Sequence, residues 1–143
     1  MKKIFILICF YMFIVTAANA QCGDALIDVC HGKIGDFRFL KSFPVQLEAQ
    51  KPGAALPVTR YSMVMNSGTR YRIVVCNAQE LPGQAIFSIY FQDRLIVTSY
   101  SLDNKSHFPY IEFTSSMSGL YHLDFYFEDG REGCAMGVVS AEK

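Results

Sequence analysis

Along residues 120–128 apolar and polar positions alternate almost without a break. Tyr121, Leu123, Phe125 and Phe127 fall on one side; Leu120, His122, Asp124, Tyr126 and Glu128 fall on the other. A period of two is the period of a strand with one buried face. Upstream the pattern repeats in shorter runs, which predict strands over Asp36–Glu48, Arg60–Met65, Thr69–Asn77, Ala85–Gln92, Leu95–Tyr100 and Phe108–Thr114. A last run covers Gly133–Ser140. Pro44 inside the first run points to an edge or a bend, because proline cannot donate to a ladder. Turn chemistry separates the runs: Asn66-Ser67-Gly68, Asp93-Arg94, Ser115–Gly119 and Glu128-Asp129-Gly130-Arg131. Ala49–Pro57, punctuated by Pro52, Gly53 and Pro57, reads as a loop, as do Gln79–Gly83 and Ser101–His107.

Only one stretch has helical spacing. Over Asp24–His31, Cys22, Leu26, Val29 and Cys30 share a face; Asp24 is placed to cap the helix and Gly32 to end it. About eight short strands with almost no helix make the fold class all-β, an antiparallel β-sandwich or barrel with a short N-terminal helix. The strict alternation in 120–128 favours a sheet with one wet face.

The first 20 residues change the picture. Lys2 and Lys3 precede the apolar run Ile4–Ala17, and Ala18-Asn19-Ala20 fits a small-x-small cleavage site, so residues 1–20 read as a secretory signal peptide. The run is too short for the roughly 20 residues of a membrane span, so none is expected after cleavage. Gln21 before Cys22 is too large for a lipid-attachment site. Cleavage leaves residues 21–143 as one domain with 11 basic and 13 acidic side chains. That balance offers no grip on a phosphate backbone, and nucleic acid is not an expected partner. The protein is expected to be exported: periplasmic, outer-membrane associated or extracellular.

Four cysteines remain: Cys22, Cys30, Cys76 and Cys134. An even number in a small exported domain suggests two disulfides. A zinc site is the sharper alternative, but no C-x-x-C spacing supports it. If Asp24–His31 is helical, Cys22 and Cys30 lie about 12 Å apart along its axis. A disulfide needs Cα atoms within about 7 Å. Cys22 and Cys30 would then each pair with Cys76 or Cys134, stapling the helix to the sheet. If the segment is irregular, Cys22–Cys30 with Cys76–Cys134 is the alternative. The first arrangement is slightly preferred.

Three segments carry a family resemblance: Ser67-Gly68-Thr69-Arg70-Tyr71-Arg72-Ile73, Ser88-Ile89-Tyr90-Phe91-Gln92-Asp93-Arg94-Leu95-Ile96 and Ser118-Gly119-Leu120-Tyr121-His122-Leu123-Asp124-Phe125. They resemble strand and turn elements of the bacterial pre-peptidase C-terminal domains and related jelly-roll modules of exported proteins. The resemblance spans roughly residues 37–140. It implies a jelly-roll-like sandwich and a non-catalytic accessory or binding module. Relatives often carry aspartates in the central strand, and Ala85-Ile86-Phe87-Ser88-Ile89 has none. A metal site of that kind is therefore not implied.

Candidate chemistry is thin. His122 and Asp124 share a strand face and, with a nearby serine, suggest hydrolysis; two solvent-facing residues are the plainer account, and no G-x-S-x-G elbow is present. Glu112, Asp124 and Glu128 raise a glycosidase-like carboxylate pair, and the acidic turn Glu128–Glu132 a calcium loop; a solvated sheet face and a plain turn explain them as well. Arg70 and Arg72 alternate along one strand and present positive charge on one face. No catalytic residue, metal or cofactor is assigned, and the protein is not expected to be an enzyme. Tyr61, Tyr90, Tyr110 and Tyr126 are the candidate binding residues, since a tyrosine packs its ring and wets its hydroxyl. The expected activity is binding, through protein–protein contacts to an envelope or secretion-apparatus component. The alternative is a carbohydrate-binding module whose exposed tyrosines stack on a surface glycan.

Overall fold

The computed structural model describes residues 22–143, so the signal-peptide reading of residues 1–20 lies outside the described residues. A short helix, α1 (Asp24–His31), precedes the strands β1 (Arg38–Leu47), β2 (Thr59–Met65), β3 (Arg70–Asn77), β4 (Ala85–Phe91) and β5 (Arg94–Thr98). Two two-residue strands follow, β6 (Tyr100–Ser101) and β7 (Ser106–His107), then β8 (Tyr110–Thr114), β9 (Gly119–Phe127) and β10 (Gly133–Ala141). All pairings are antiparallel. One sheet runs β1-β10-β3-β8 and the other β2-β9-β4-β5, while β6 and β7 form a small hairpin. With that hairpin set aside, the first and last strands are neighbours and each sheet alternates early and late strands. This is the order of an eight-stranded jelly roll, an antiparallel sandwich of two Greek keys.

The inner faces interlock around Phe43, Tyr71, Phe87, Tyr121, Leu123, Phe125 and Phe127, all buried. The predicted inward side of β9 is the observed one, since its four residues are at most 2% exposed. Pro44 lies on β1, an edge strand that pairs with β10 alone.

The two sheets differ on their outer faces. All nine residues of β10 are buried. Its inner side meets the core, and its outer side meets α1, where Leu26 and Cys30 pack against Val74, Met136 and Val138. Gly137 makes the inner approach possible, because a Cβ there would stand 2.7 Å from the Phe125 ring. Disulfides join Cys22 to Cys134 and Cys30 to Cys76, with Cα separations of 5.6 and 5.7 Å. They staple α1 to the two central strands of the covered sheet. The expectation of one wet face therefore holds for the β2-β9-β4-β5 sheet, while α1 covers the middle of the other.

Several local expectations change. Val29, predicted on the packed face of α1, is exposed, and Ile27 packs in part instead. Asp24 lies inside the first turn and makes no capping bond; Gly23 precedes the helix. The β4–β5 turn is Gln92-Asp93, one residue earlier than predicted, with φ of 50° and 61°. Two consecutive positive φ angles are those of the type I′ turn that suits strand twist. The predicted strand Leu95–Tyr100 breaks at Ser99, whose hydroxyl accepts the Phe87 N–H. Ser101–His107, predicted as loop, carries all of the β6–β7 hairpin but its first residue, Tyr100.

Candidate functional site

The outer face of the β2-β9-β4-β5 sheet carries the exposed apolar side chains Val64, Leu120 and Leu95. Register explains their placement. Val64 lies opposite Leu120 on β9, and these side chains are 65% and 52% exposed. The next row crosses all four strands: Ser62, His122, Tyr90 and Leu95. Leu95 is half exposed. The third row is Arg60, Asp124, Ser88 and Thr98. The face thus grades from apolar at the β2–β3 end to charged in the middle. Ile86 and Ser88 also face outward but are buried.

The polar rows are tied internally. Arg60 donates to both carboxylate oxygens of Asp124, at 2.6 and 2.7 Å, and its guanidinium stands 5.7 Å from the Tyr90 ring centre. The Asp124 hydrogen bond and then its charge raise the Arg60 pKa above the ordinary value. Ser62 Oγ lies 2.7 Å from His122 Nδ1. A serine therefore does stand beside the His122–Asp124 pair. In a hydrolytic triad, however, the acid orients the histidine through the ring nitrogen that the serine does not use. Here Asp124 is held by Arg60, so the three groups form two separate pairs on an exposed sheet face.

The other titratable candidates are dispersed. Glu112 lies on β8 of the covered sheet, directly opposite Arg72. It accepts bonds from Arg72 Nε at 2.7 Å, from the Arg72 terminal nitrogen and from Arg70. The Arg72 bond, the largest effect, holds its carboxyl below the ordinary range; burial opposes it, and the Arg70 bond and the charges of both arginines add to the lowering. Arg72 is sandwiched between Phe37 and Tyr110, each ring centre 4.5 Å away, and also donates to the Ile34 carbonyl. Glu112 and, at 3.7 Å from Arg70, Glu142 balance the two arginines, and Arg72 clamps the segment after α1 onto the sheet. Glu128 accepts from Tyr100 and pairs with His107, both at 2.8 Å. The His107 bond, then the Tyr100 bond, lower its pKa, while donation to Glu128 raises that of Tyr100. Glu112, Asp124 and Glu128 each have their own partner and form no shared cleft. Among the described residues no group of three or more His, Cys, Asp or Glu side chains is arranged to hold a metal ion.

The four candidate tyrosines are not brought together. Tyr90 and Tyr126 lie on the outer face of the β2-β9-β4-β5 sheet. Tyr61 turns inward, its ring 4.8 Å from that of Phe43 and its hydroxyl bonded to the Pro44 carbonyl. Tyr110 stacks under Arg72 on the other sheet. Alternation places Leu120 on the outer side of its strand but does not show that Val64 lies beside it. The signal that could have found the pair is the apolar residue on the polar side of each alternating strand.

No family model matches the chain, and no curated protein matches it. Among solved structures, the chain is similar in fold to PliG of Aeromonas hydrophila, a periplasmic lysozyme inhibitor of g-type lysozyme. The TM-score is 0.54 at 11% sequence identity, over 74% of this chain and 88% of PliG.

Proposed function

We propose that this chain is an exported, non-catalytic binding protein that docks a partner protein of the cell envelope on the outer face of its β2-β9-β4-β5 sheet. The observation that carries the reading is the asymmetry of the sandwich. One sheet has its outer face covered by the N-terminal helix and two disulfides, while the other leaves the cross-strand pair Val64 and Leu120 bare, with Leu95 exposed one row away on β5. Exposed apolar groups rimmed by polar ones mark interaction surfaces. The disulfides fit an oxidising compartment. The fold neighbour supports the choice of partner class, since it is named for inhibiting a lysozyme. A cell-wall-degrading enzyme is therefore the first partner to test.

The test uses the mature chain with a photo-crosslinking residue at position 64 in envelope extract, with turbidimetric lysozyme assays run in parallel. The expected result is one stoichiometric protein adduct, or inhibition of a lysozyme, weakened at least tenfold by Leu120→Asp. Adducts unaffected by Leu120→Asp, or binding to a glycan array that depends on Tyr90 and Tyr126, would overturn the proposal.

A further inference from the structure

The sandwich has an open side where β5 ends one sheet and β8 ends the other. Between them lies a groove of about 210 Å³. Phe91, Phe113 and Tyr121 are among its lining residues, together with Ile96 and Met117, and Arg94 also reaches it. The Tyr121 hydroxyl is bonded to Ser115 Oγ and donates to the Met117 carbonyl, both at 2.8 Å, which fixes the turn on one side. A cavity of about 150 Å³ holds benzene, so this one admits a single leucine or phenylalanine side chain.

The β5 strand pairs with β4 alone, leaving its other edge without a strand. A register shift opposite Ile89/Tyr90 places an extra residue in β5. Bulges of this kind re-aim a side chain and end pairing, and here Ile96 lines the groove while Leu95 lies opposite Tyr90. Arg94 and Ile96 are two residues apart and both line the groove. Arg94 has no carboxylate within ion-pair distance among the described residues.

We propose that the β5 edge and this groove receive an extended segment of a partner protein with the pattern acid-x-apolar. The apolar side chain fills the groove, the acid two positions away meets Arg94, and short backbone pairing along β5 sets the register. Charge complementarity selects the acid; the aromatic walls select a large apolar side chain. This site is distinct from the Val64–Leu120 patch and does not depend on it.

The test titrates isotope-labelled mature protein with the blocked peptide Thr-Thr-Glu-Thr-Leu-Thr-Thr, followed by amide NMR shifts. Shifts are expected on Arg94–Thr98 and on the 113–117 segment. Replacing the peptide Leu by Ala should weaken binding tenfold or more, from the lost apolar burial. Replacing its Glu by Gln should weaken binding two- to fivefold, as an exposed ion pair does. Arg94→Gln should abolish the difference between the Glu and Gln peptides while leaving the Leu dependence intact. No shifts at millimolar peptide, or equal affinity of the Glu and Gln peptides for the unmutated protein, would overturn the proposal. Shifts centred on Val64 and Leu120 would overturn it too, while favouring the docking face proposed above.

Discussion

Phe125 shows at the scale of one residue how the two sheets depend on each other. Its ring is fully buried, lies 6.2 Å from the rings of both Phe43 and Phe87, and occupies the space that Gly137 leaves open. Truncating the ring would leave a cavity bounded by side chains of both sheets. Phe125→Ala is therefore expected to cost about 3–5 kcal/mol in denaturant melts; a loss below about 1 kcal/mol would contradict the assigned face. Glu112 makes a pH-dependent contribution of the opposite kind, electrostatic and near the surface. Bonds from Arg72 and Arg70 depress its folded pKa. The stability it adds is complete well above the ordinary glutamate value of about 4.3 and is lost as the pH falls through the lower folded value. Glu112→Gln should be less stable than the unmutated protein at neutral pH. The gap should close on acidification past that ordinary value; a gap independent of pH would refute the pairing. The inward face of β9 could be read from alternation alone. The Arg60–Asp124 and Arg72–Glu112 pairs could not, because their partners are 64 and 40 residues apart and meet only through strand register.

At the scale of elements, α1 has eight residues, too few to persist alone in water, where about 12–15 are marginal. Its stability comes from Leu26 and Cys30 packing on the sheet and from two nested disulfides that close 112 and 46 residues of sequence separation. The helix-to-sheet staple was legible once helical spacing placed Cys22 and Cys30 too far apart to pair. Spacing could not say which strand cysteine takes which partner. Thiol labelling of the unfolded, unreduced mature protein should find no free cysteine. Cys30→Ser with Cys76→Ser should lower stability by about 2–5 kcal/mol. Two labelled thiols, or an unchanged melt, would contradict the pairing. Turn chemistry had a similar limit. Asn66-Ser67-Gly68 announces a reversal, and Gly68 does adopt a φ of 78°. The chain nevertheless passes from one sheet to the other there, and the residues of a turn do not encode which sheet receives the next strand.

For the whole molecule, the stapled helix lies on one sheet, and the docking proposed above would give recognition to the other. β10 is buried on both sides between its two neighbours, with core beneath and the stapled helix above. The 48–58 loop and the β6–β7 hairpin lie at the periphery, with few buried groups. Opening β10 requires displacing α1, β1 and β3 together, so it should approach global unfolding, whereas the peripheral segments can open locally. Native-state hydrogen exchange is therefore expected to rank β10 amides slowest, with β9 and β3 close behind, and 48–58 and 102–105 fastest. The edge strand β2, which carries Val64, should fall between these groups. Reducing both disulfides should lower protection in β10 and β3 more than in β9 and β4, because only the first pair lies under the helix. Equal loss in both sheets would mean that α1 stabilises the sandwich as one unit. The bare face would then owe nothing to the separation of roles, and its exposed apolar pair would need another explanation.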